Sequence, residues 1–351
     1  MKQFRNTVIR AGLGALYFSG AYALLRPILS GIGAIFMLHH VRPGRDDTFQ
    51  PNHHLEVTPE FLQEMLTHLR SNDIDIVSMD EAHRRLVERD FSRRFASFTF
   101  DDGYRDNRDF ALPVMRAFDA PLTIYVTSDF AEGTGRLWWI ALEMAIAGTT
   151  AIEVTVDGTA CRFDAATPAA KQTTFDRLHD WLRTLNEHEL RREVSALCAR
   201  HGVDEAAICR DLCMSWDELK PFSADPLVAI GAHTVTHCNL AAQSDETVSE
   251  ELIKSRARIE AMLGRPVAHL AYPYGDKAAA GAREFALARA AGYRTAVTTR
   301  PGMVFAENAG HLTALPRVSL NGNYQDARIL PVLTSGAATA MWNGFRRVDA
   351  A

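Results

Sequence analysis

Phe98-Thr99-Phe100-Asp101-Asp102-Gly103-Tyr104 places two adjacent aspartates directly after an apolar, β-prone run. The alternation of side chains over residues 95–100 predicts a strand, and Gly103 predicts a tight turn after it. Because the backbone turns where a strand ends, both carboxylates can reach one pocket. An Asp-Asp-Gly triplet alone is also typical of an ordinary turn, so a site is predicted here only together with a second stretch.

The second stretch is Gly231-Ala232-His233-Thr234-Val235-Thr236-His237, far downstream. The His-x-x-x-His spacing puts two imidazoles on one face if the segment enters a helix. One carboxylate and two imidazoles would form a three-ligand site for a divalent metal, with a position left for water. The other aspartate is then available as a base. A lone histidine pair more often serves packing or capping, but two such motifs after strand-like runs favour a site.

These residues resemble the motifs of a known family. Thr99–Gly103 resembles the first motif of the polysaccharide deacetylase family (NodB homology, carbohydrate esterase 4), and His233–His237 resembles its H-[ST]-x-x-H second motif. Ala271–Gly275 is close to the third motif, R-x-P-Y-G, with alanine in the arginine position. The resemblance spans roughly residues 32–320.

The resemblance implies a role for each matching residue. Asp102, His233 and His237 would hold a divalent metal, with zinc expected first and cobalt, nickel or manganese as alternatives. Asp101 would be the general base that takes a proton from water. The backbone N–H of Tyr274 would help to hold the anionic tetrahedral intermediate.

One departure from the family pattern concerns the general acid. The usual Leu-x-His motif is missing, since the matching region reads Ala314-Leu315-Pro316-Arg317-Val318. Met37-Leu38-His39-His40-Val41 instead resembles a strand end of a permuted subgroup, which makes His39 the predicted acid. The alternatives are that His39 and His40 are ordinary strand-end residues, or that His311 is the acid.

The other departure is the missing arginine of the third motif, where Ala271 stands. Arg317, in a Leu-Pro-Arg segment at another strand end, could supply the charge that orients the base. Arg317 could equally be an ordinary arginine on the protein surface, and the sequence does not decide between these two interpretations.

Strand and helix signals alternate along the chain, which predicts an α/β fold with a parallel sheet. Because the motifs sit where strands end, we predict a (β/α) barrel with its site at the carboxyl ends of the strands. The family fold, an irregular (β/α) barrel of the NodB-homology type, implies the same. Between Phe130 and Pro226 the alternation breaks into a hairpin and several helices, which predicts an inserted, mainly helical subdomain. Trp138 and Trp139 there could stack on sugar rings or belong to the core.

The predicted organisation has five parts. They are an N-terminal helical segment (1–30), the first part of the barrel (31–128), the inserted subdomain (129–225), the second part of the barrel (226–325) and a C-terminal tail (326–351).

Composition sets broader limits. The chain has 351 residues, 47% of them hydrophobic, enough for a large core, and its net charge of −5 gives no case for nucleic-acid binding. Its five cysteines form no disulfide pattern, which favours reduced thiols and a cytoplasmic setting. The N-terminal run 11–25 has the outline of a signal peptide, but a retained helix that packs on the barrel or lies on a membrane surface explains it as well. Export is therefore left open.

The predicted function is a metal-dependent hydrolase that removes N-acetyl groups from an amino sugar in an oligo- or polysaccharide, with an N-acetylated glycan as its partner. One alternative is an amidohydrolase acting on a non-sugar C–N bond. The other is a non-catalytic carbohydrate-binding protein on the same barrel, which would need neither a base nor a metal triad.

Overall fold

The structure, a computed structural model, describes residues 2–156 and 158–348. The strands of the described residues are short, and most of them are apolar and buried, as expected for parallel strands. In chain order they are β1 (Gly33–Leu38), β2 (His40–Val41), β3 (Glu56–Val57), β4 (Asp75–Ile76), β5 (Phe95–Phe100), β6 (Leu122–Val126), β7 (Ala151–Val156), β8 (Thr159–Asp164), β9 (Val228–Ala232), β10 (His269–Ala271), β11 (Thr295–Pro301) and β12 (Leu315–Ser319).

The α-helices lie between and around these strands. They are α1 (Lys2–Phe18), α2 (Ala21–Leu29), α3 (Pro59–Ser71), α4 (Met79–Glu88), α5 (Leu112–Ala117), α6 (Ser128–Ala131), α7 (Trp138–Ala147), α8 (Pro168–Leu182), α9 (Glu187–His201), α10 (Glu205–Leu212), α11 (Trp216–Phe222), α12 (Asp245–Leu263), α13 (Ala282–Ala290), α14 (Leu330–Thr334) and α15 (Ala337–Trp342). Local chemistry sets several of their ends. The Thr58 hydroxyl caps the first turn of α3, where Pro59 opens the helix, and α12 stops at Gly264, which adopts a left-handed φ of 67°.

Seven parallel strands close into a barrel. Their order is β1-β12-β11-β10-β9-β6-β5, and β5 pairs back with β1 over six positions, from Gly33 opposite Phe95 to Leu38 opposite Phe100. The short β4 pairs with β5 outside this ring. All six residues of β5 are buried, because one face fills the barrel and the other meets the surrounding helices. The predicted (β/α) barrel is confirmed.

Between β6 and β9 the chain leaves the barrel. It forms the antiparallel β7–β8 hairpin and the helices α7 to α10, which share an apolar cluster of their own. Phe49 and Tyr104, from loops at the barrel mouth, are part of this cluster and join it to the barrel. The domain boundaries at 129 and 225 stay a prediction. All five cysteines are free thiols.

Helices α1, α2, α14 and α15 pack against one another on the barrel's flank. Leu13 of α1 is buried in the main core, and Leu25 and Leu29 of α2 pack against it. No single helix among the described residues is long and apolar enough to cross a membrane. The stretches Asn6–Phe18 and Ala21–Leu29 reach that length and hydropathy only together, and they are bent by 93°.

Candidate active site

The residues singled out in the sequence meet at one end of the barrel. Asp101 and Asp102 directly follow β5, His233 directly follows β9, and Tyr274 lies just beyond β10. Because all seven barrel strands are parallel, their carboxyl ends share one rim. His39 belongs to the same rim, since it lies in the one-residue gap between β1 and β2.

Asp102, His233 and His237 converge in the buried mouth. Asp102 Oδ1 lies 3.5 Å from His233 Nε2 and 3.4 Å from His237 Nε2. One potential ligand atom from each residue lies within 4.8 Å of the others. His233 Nδ1 donates to the Ala271 carbonyl at 2.7 Å, so its Nε2 is left with a lone pair facing the carboxylate.

This geometry fits a divalent cation. Asp102 Oδ1 is buried and accepts no hydrogen bond among the described residues, although the two imidazoles stand beside it. Burial, followed by the charge of Asp101, raises the pKa of Asp102 to about 8, and burial lowers the pKa of both histidines. A cation between the three groups would satisfy the orphaned oxygen and keep the carboxylate ionised. Two neutral imidazoles and one carboxylate are a donor set that zinc accepts.

The segment that carries the two histidines is not a helix. The chain leaves β9 at Ala232 and turns irregularly, with left-handed φ values of 65° at Thr234 and 60° at His237. The backbone N–H of His237 donates to the Thr234 hydroxyl at 3.1 Å. The prediction of a helix from the His-x-x-x-His spacing is therefore wrong. An irregular turn, and not a helical face, brings the two imidazoles together.

Glu251 of α12 holds this turn from outside, and the sequence analysis missed it. Its carboxylate accepts the backbone N–H groups of Val235 and Thr236 at 2.8 and 3.0 Å, and the Thr236 hydroxyl at 2.9 Å. A single glutamate within a helix does not indicate from sequence alone that it holds a distant turn.

Asp101 makes a different set of contacts from its neighbour. Arg317 donates from both of its terminal nitrogens to the two Asp101 oxygens, each at 2.7 Å, and both side chains are buried. The same guanidinium also donates to the Thr99 hydroxyl and the Thr298 carbonyl. Burial raises the pKa of Asp101, but the charge and hydrogen bonds of Arg317 outweigh it, so the pKa lies well below its usual range.

Arg317 is thus inside the barrel and not on the surface. Its partner stands 216 positions earlier in the chain. Ala271, at the motif position where an arginine is expected, instead contributes the backbone carbonyl that orients His233.

The three candidate histidines for the acid have different surroundings. His39 Nε2 lies 3.9 Å from Asp101 Oδ2, and the His39 side chain is 17% exposed against 2% for Asp101. His40 is buried, with its Nδ1 2.6 Å from Asp106 and its ring stacked on Tyr104. His311 precedes the first residue of β12 and so belongs to the opposite end of the barrel.

The protonation state of His39 follows from its surroundings. A general acid works best with a pKa near neutrality, but burial lowers the pKa of His39 to about 3, and the charge of Asp101 offsets this only in part. His39 is therefore neutral at pH 7 in the resting protein.

Aromatic side chains cover the site. His237 lies against Trp139 and Tyr274, with ring centroids 5.0 and 5.1 Å away. Trp138 Nε1 donates to the Tyr274 hydroxyl at 2.9 Å, and Arg183 stands over the Tyr274 ring. Trp138 and Trp139 are both buried, so they are part of the core that covers the site and present no exposed ring face to a sugar.

The backbone at Tyr274 turns sharply, with a left-handed φ of 59°. Its carbonyl accepts the Thr299 hydroxyl at 2.6 Å, which fixes the peptide plane next to it. Among the described residues no acceptor pairs with the Tyr274 N–H, so this group can still donate to a bound oxygen.

Comparisons with known proteins agree with this geometry. A sequence model of the polysaccharide deacetylase family matches residues 88–296, more than half of the chain. That range includes both aspartates, both histidines and Tyr274, whereas His39 and Arg317 lie outside it. A search of curated protein sequences finds no match.

Solved structures show the same fold. The deacetylase PplD of Streptococcus pyogenes, in complex with acetate, is similar with a TM-score of 0.55 and 18% identity, over 83% of this chain and 92% of that one. A polysaccharide deacetylase from Bacillus cereus has a TM-score of 0.51 and 17% identity, over 82% of this chain and 65% of that one. A de-N-acetylase from Aggregatibacter actinomycetemcomitans has a TM-score of 0.51 and 11% identity, over 82% and 94%. The chain therefore belongs to the polysaccharide deacetylase family, which are hydrolases of carbon–nitrogen bonds other than peptide bonds.

Proposed function

We propose that this protein is a metal-dependent deacetylase that removes N-acetyl groups from an amino sugar in an oligo- or polysaccharide. One observation carries the proposal. Asp102 presents a buried, unpartnered carboxylate oxygen to two imidazoles, directly beside a second carboxylate that an arginine keeps ionised. A protein that only bound sugar would gain nothing from burying these charges at such cost.

Asp102, His233 and His237 would hold the cation, with zinc as the first candidate and cobalt, nickel or manganese as alternatives. When bound, such a cation lowers the pKa of a coordinated water and polarises an acyl oxygen. The second coordination shell supports this role, because the Ala271 carbonyl fixes the His233 tautomer and Glu251 braces the turn that ends at His237.

Asp101 is proposed as the general base. Its pKa keeps it ionised over the neutral range, so it can accept the proton of the attacking water. Arg317 is proposed as a positioning residue, since its two hydrogen bonds fix both carboxylate oxygens. The free N–H of Tyr274 is proposed to donate to the oxygen of the tetrahedral intermediate.

His39 is proposed to protonate the departing amine. It is neutral at rest, so it has to gain a proton during turnover. Negative charge developing on the intermediate would raise its pKa, opposing the effect of burial. The Asp101 oxygen 3.9 Å away is the nearest carboxylate that could pass on the proton of the water.

Acetate release tests the function and the metal requirement together. Purified protein is assayed on a panel of N-acetylated oligosaccharides and polysaccharides, after chelation and after return of Zn²⁺ or Co²⁺. We expect activity on at least one amino-sugar substrate, loss with chelator and recovery with metal.

The matched pair for this assay is His237→Ala and Cys238→Ser, which change neighbouring buried side chains. His237→Ala should lose both bound metal and activity, whereas Cys238→Ser should keep both. Full activity in a metal-free His237→Ala protein would overturn the proposal. Release of acyl groups only from non-sugar amides would favour the amidohydrolase alternative instead.

A further inference from the structure

The large apolar side chains that face solvent are unevenly distributed. Eleven are exposed among the described residues, and seven of them lie in two short stretches near the chain ends, residues 8–28 and 341–345. These seven define the terminal apolar surface: Val8, Phe18, Leu24, Ile28, Met341, Trp342 and Phe345. Phe18 is 74% and Leu24 is 81% exposed, so these are not partly covered rims of the core.

The two stretches belong to one assembly of helices. The Met341 side chain of α15 lies against Gly12 of α1, and Tyr17 of α1 stacks on Tyr22 of α2 with ring centroids 5.9 Å apart. Helix α15 also contacts α2. The exposed side chains therefore lie on neighbouring helices and not on separate parts of the molecule.

Both N-terminal helices are apolar on two faces. In α1 one face packs on the core through Leu13, while the exposed stripe runs through Val8, Ala11, Ala15 and Phe18, at spacings of three and four residues. In α2 the exposed residues are 23, 24, 26, 27 and 28, which include the large apolar side chains Leu24 and Ile28 and the charged Arg26. Packing on the core accounts for the inner faces only, and exposed apolar faces on neighbouring helices are typical of interaction sites.

Charge identifies the partner. Residues 2–29 contain one lysine and three arginines (Lys2, Arg5, Arg10 and Arg26) and no aspartate or glutamate. The C-terminal stretch adds Arg346 and Arg347, followed two positions later in the sequence by Asp349, in a chain whose net charge is −5. Two acids stand nearby on other segments, where Asp326 pairs with Arg328 and Glu307 pairs with Arg347. A basic, apolar surface on an otherwise acidic protein is complementary to anionic lipid.

We propose that the terminal apolar surface binds an anionic lipid bilayer. Its apolar side chains enter the headgroup region, where Trp342 and Phe345 suit the interface, and the surrounding arginines contact lipid phosphates. None of its seven residues is a site residue or a contact of one described above. Membrane binding and deacetylation can therefore be measured separately, and the proposal does not depend on the proposed function.

Vesicle sedimentation tests the proposal with the full chain. Vesicles of phosphatidylcholine alone are compared with vesicles that also contain phosphatidylglycerol. The matched variants are Ile28→Glu on α2 and Ile253→Glu on α12, which change equally bulky side chains that are 65% and 54% exposed.

We expect the wild-type protein to bind the anionic vesicles, more weakly at higher salt, and to bind neutral vesicles far less. Ile28→Glu should weaken the binding by about tenfold or more, whereas Ile253→Glu should leave it unchanged. All three proteins should share the same melting temperature. As a second variant that leaves the apolar face intact, Arg26→Gln should weaken binding to anionic vesicles by about fivefold.

Equal binding by the Ile28→Glu and Ile253→Glu proteins would overturn the proposal. So would a wild-type protein that binds neither kind of vesicle. The oligomeric state is also measured by light scattering without lipid. If the wild-type protein is a dimer that Ile28→Glu dissociates, and no vesicle binding is seen, the surface serves self-association and the proposal is overturned.

Discussion

Replacing Arg317 by methionine tests whether the buried ion pair at the base is as important as its geometry indicates. The substitution keeps an unbranched apolar stem but removes both 2.7 Å hydrogen bonds to Asp101 and the bond to the Thr298 carbonyl. Removing one partner of a buried ion pair costs about 3–5 kcal/mol, because the other charge stays buried without compensation. Arg258→Met, which breaks the exposed pair with Glu132, should cost less than about 1 kcal/mol.

A second substitution separates charge from packing. In Asp101→Asn/Arg317→Met the buried charge has gone together with its partner, while the unpaired Thr298 carbonyl and the altered volume remain. We therefore expect the double variant to be more stable than Arg317→Met alone. Simple addition of two independent losses would make it less stable.

The pH dependence has a definite sign. In the wild-type protein the pKa of Asp101 lies below its unfolded value of about 3.9, so its contribution to stability is full above that pH and is lost as pH falls. Without Arg317, burial should raise the folded pKa of Asp101 above its unfolded value of about 3.9, so stability is lost as pH rises above that value. The deficit of Arg317→Met should therefore grow from acid to neutral pH.

The assay is urea unfolding of all variants at two pH values, with chelator present so that metal binding does not shift the equilibrium. Acetate release is measured in parallel, and Asp101→Asn should retain metal but lose about 10²-fold or more in turnover. A pH-independent loss in Arg317→Met, equal in the single and double variants, would refute the argument.

Two further predictions concern the surroundings of the site. His39→Ala should keep its bound metal and lose turnover, as measured by metal analysis and by steady-state acetate release. His311→Ala, at the far end of the barrel, should behave like the wild-type protein. The reverse result would place the general acid on the C-terminal side. Glu251→Ala should weaken metal affinity by about 10- to 100-fold in a competition titration, because the turn that ends at His237 loses the hydrogen bonds that hold it. Glu251→Gln should recover part of this loss. Unchanged metal affinity in Glu251→Ala would show that Glu251 does not position the turn.

The sequence alone was enough for the fold and for the kinds of residue at the site. The strand before Asp101, the alternation of strands with helices and the three motifs are all encoded within short windows, where periodicity and turn chemistry are local properties. Because parallel strands present their carboxyl ends on one rim, motifs at strand ends could be predicted to share a pocket.

Local patterns could not determine how distant side chains pair. The choice between a surface arginine and a partner for Asp101 depended on β12 closing the ring beside β1, which buries Arg317 next to a carboxylate 216 positions away. The spacing of His233 and His237 suggested a helix, whereas Glu251 from α12 stabilises an irregular turn. The neutral state of His39 likewise follows from burial, which only the packed structure determines. Sequence thus determined which groups arrive at the barrel mouth, and tertiary packing determined which are charged, which are paired and which stay free to react.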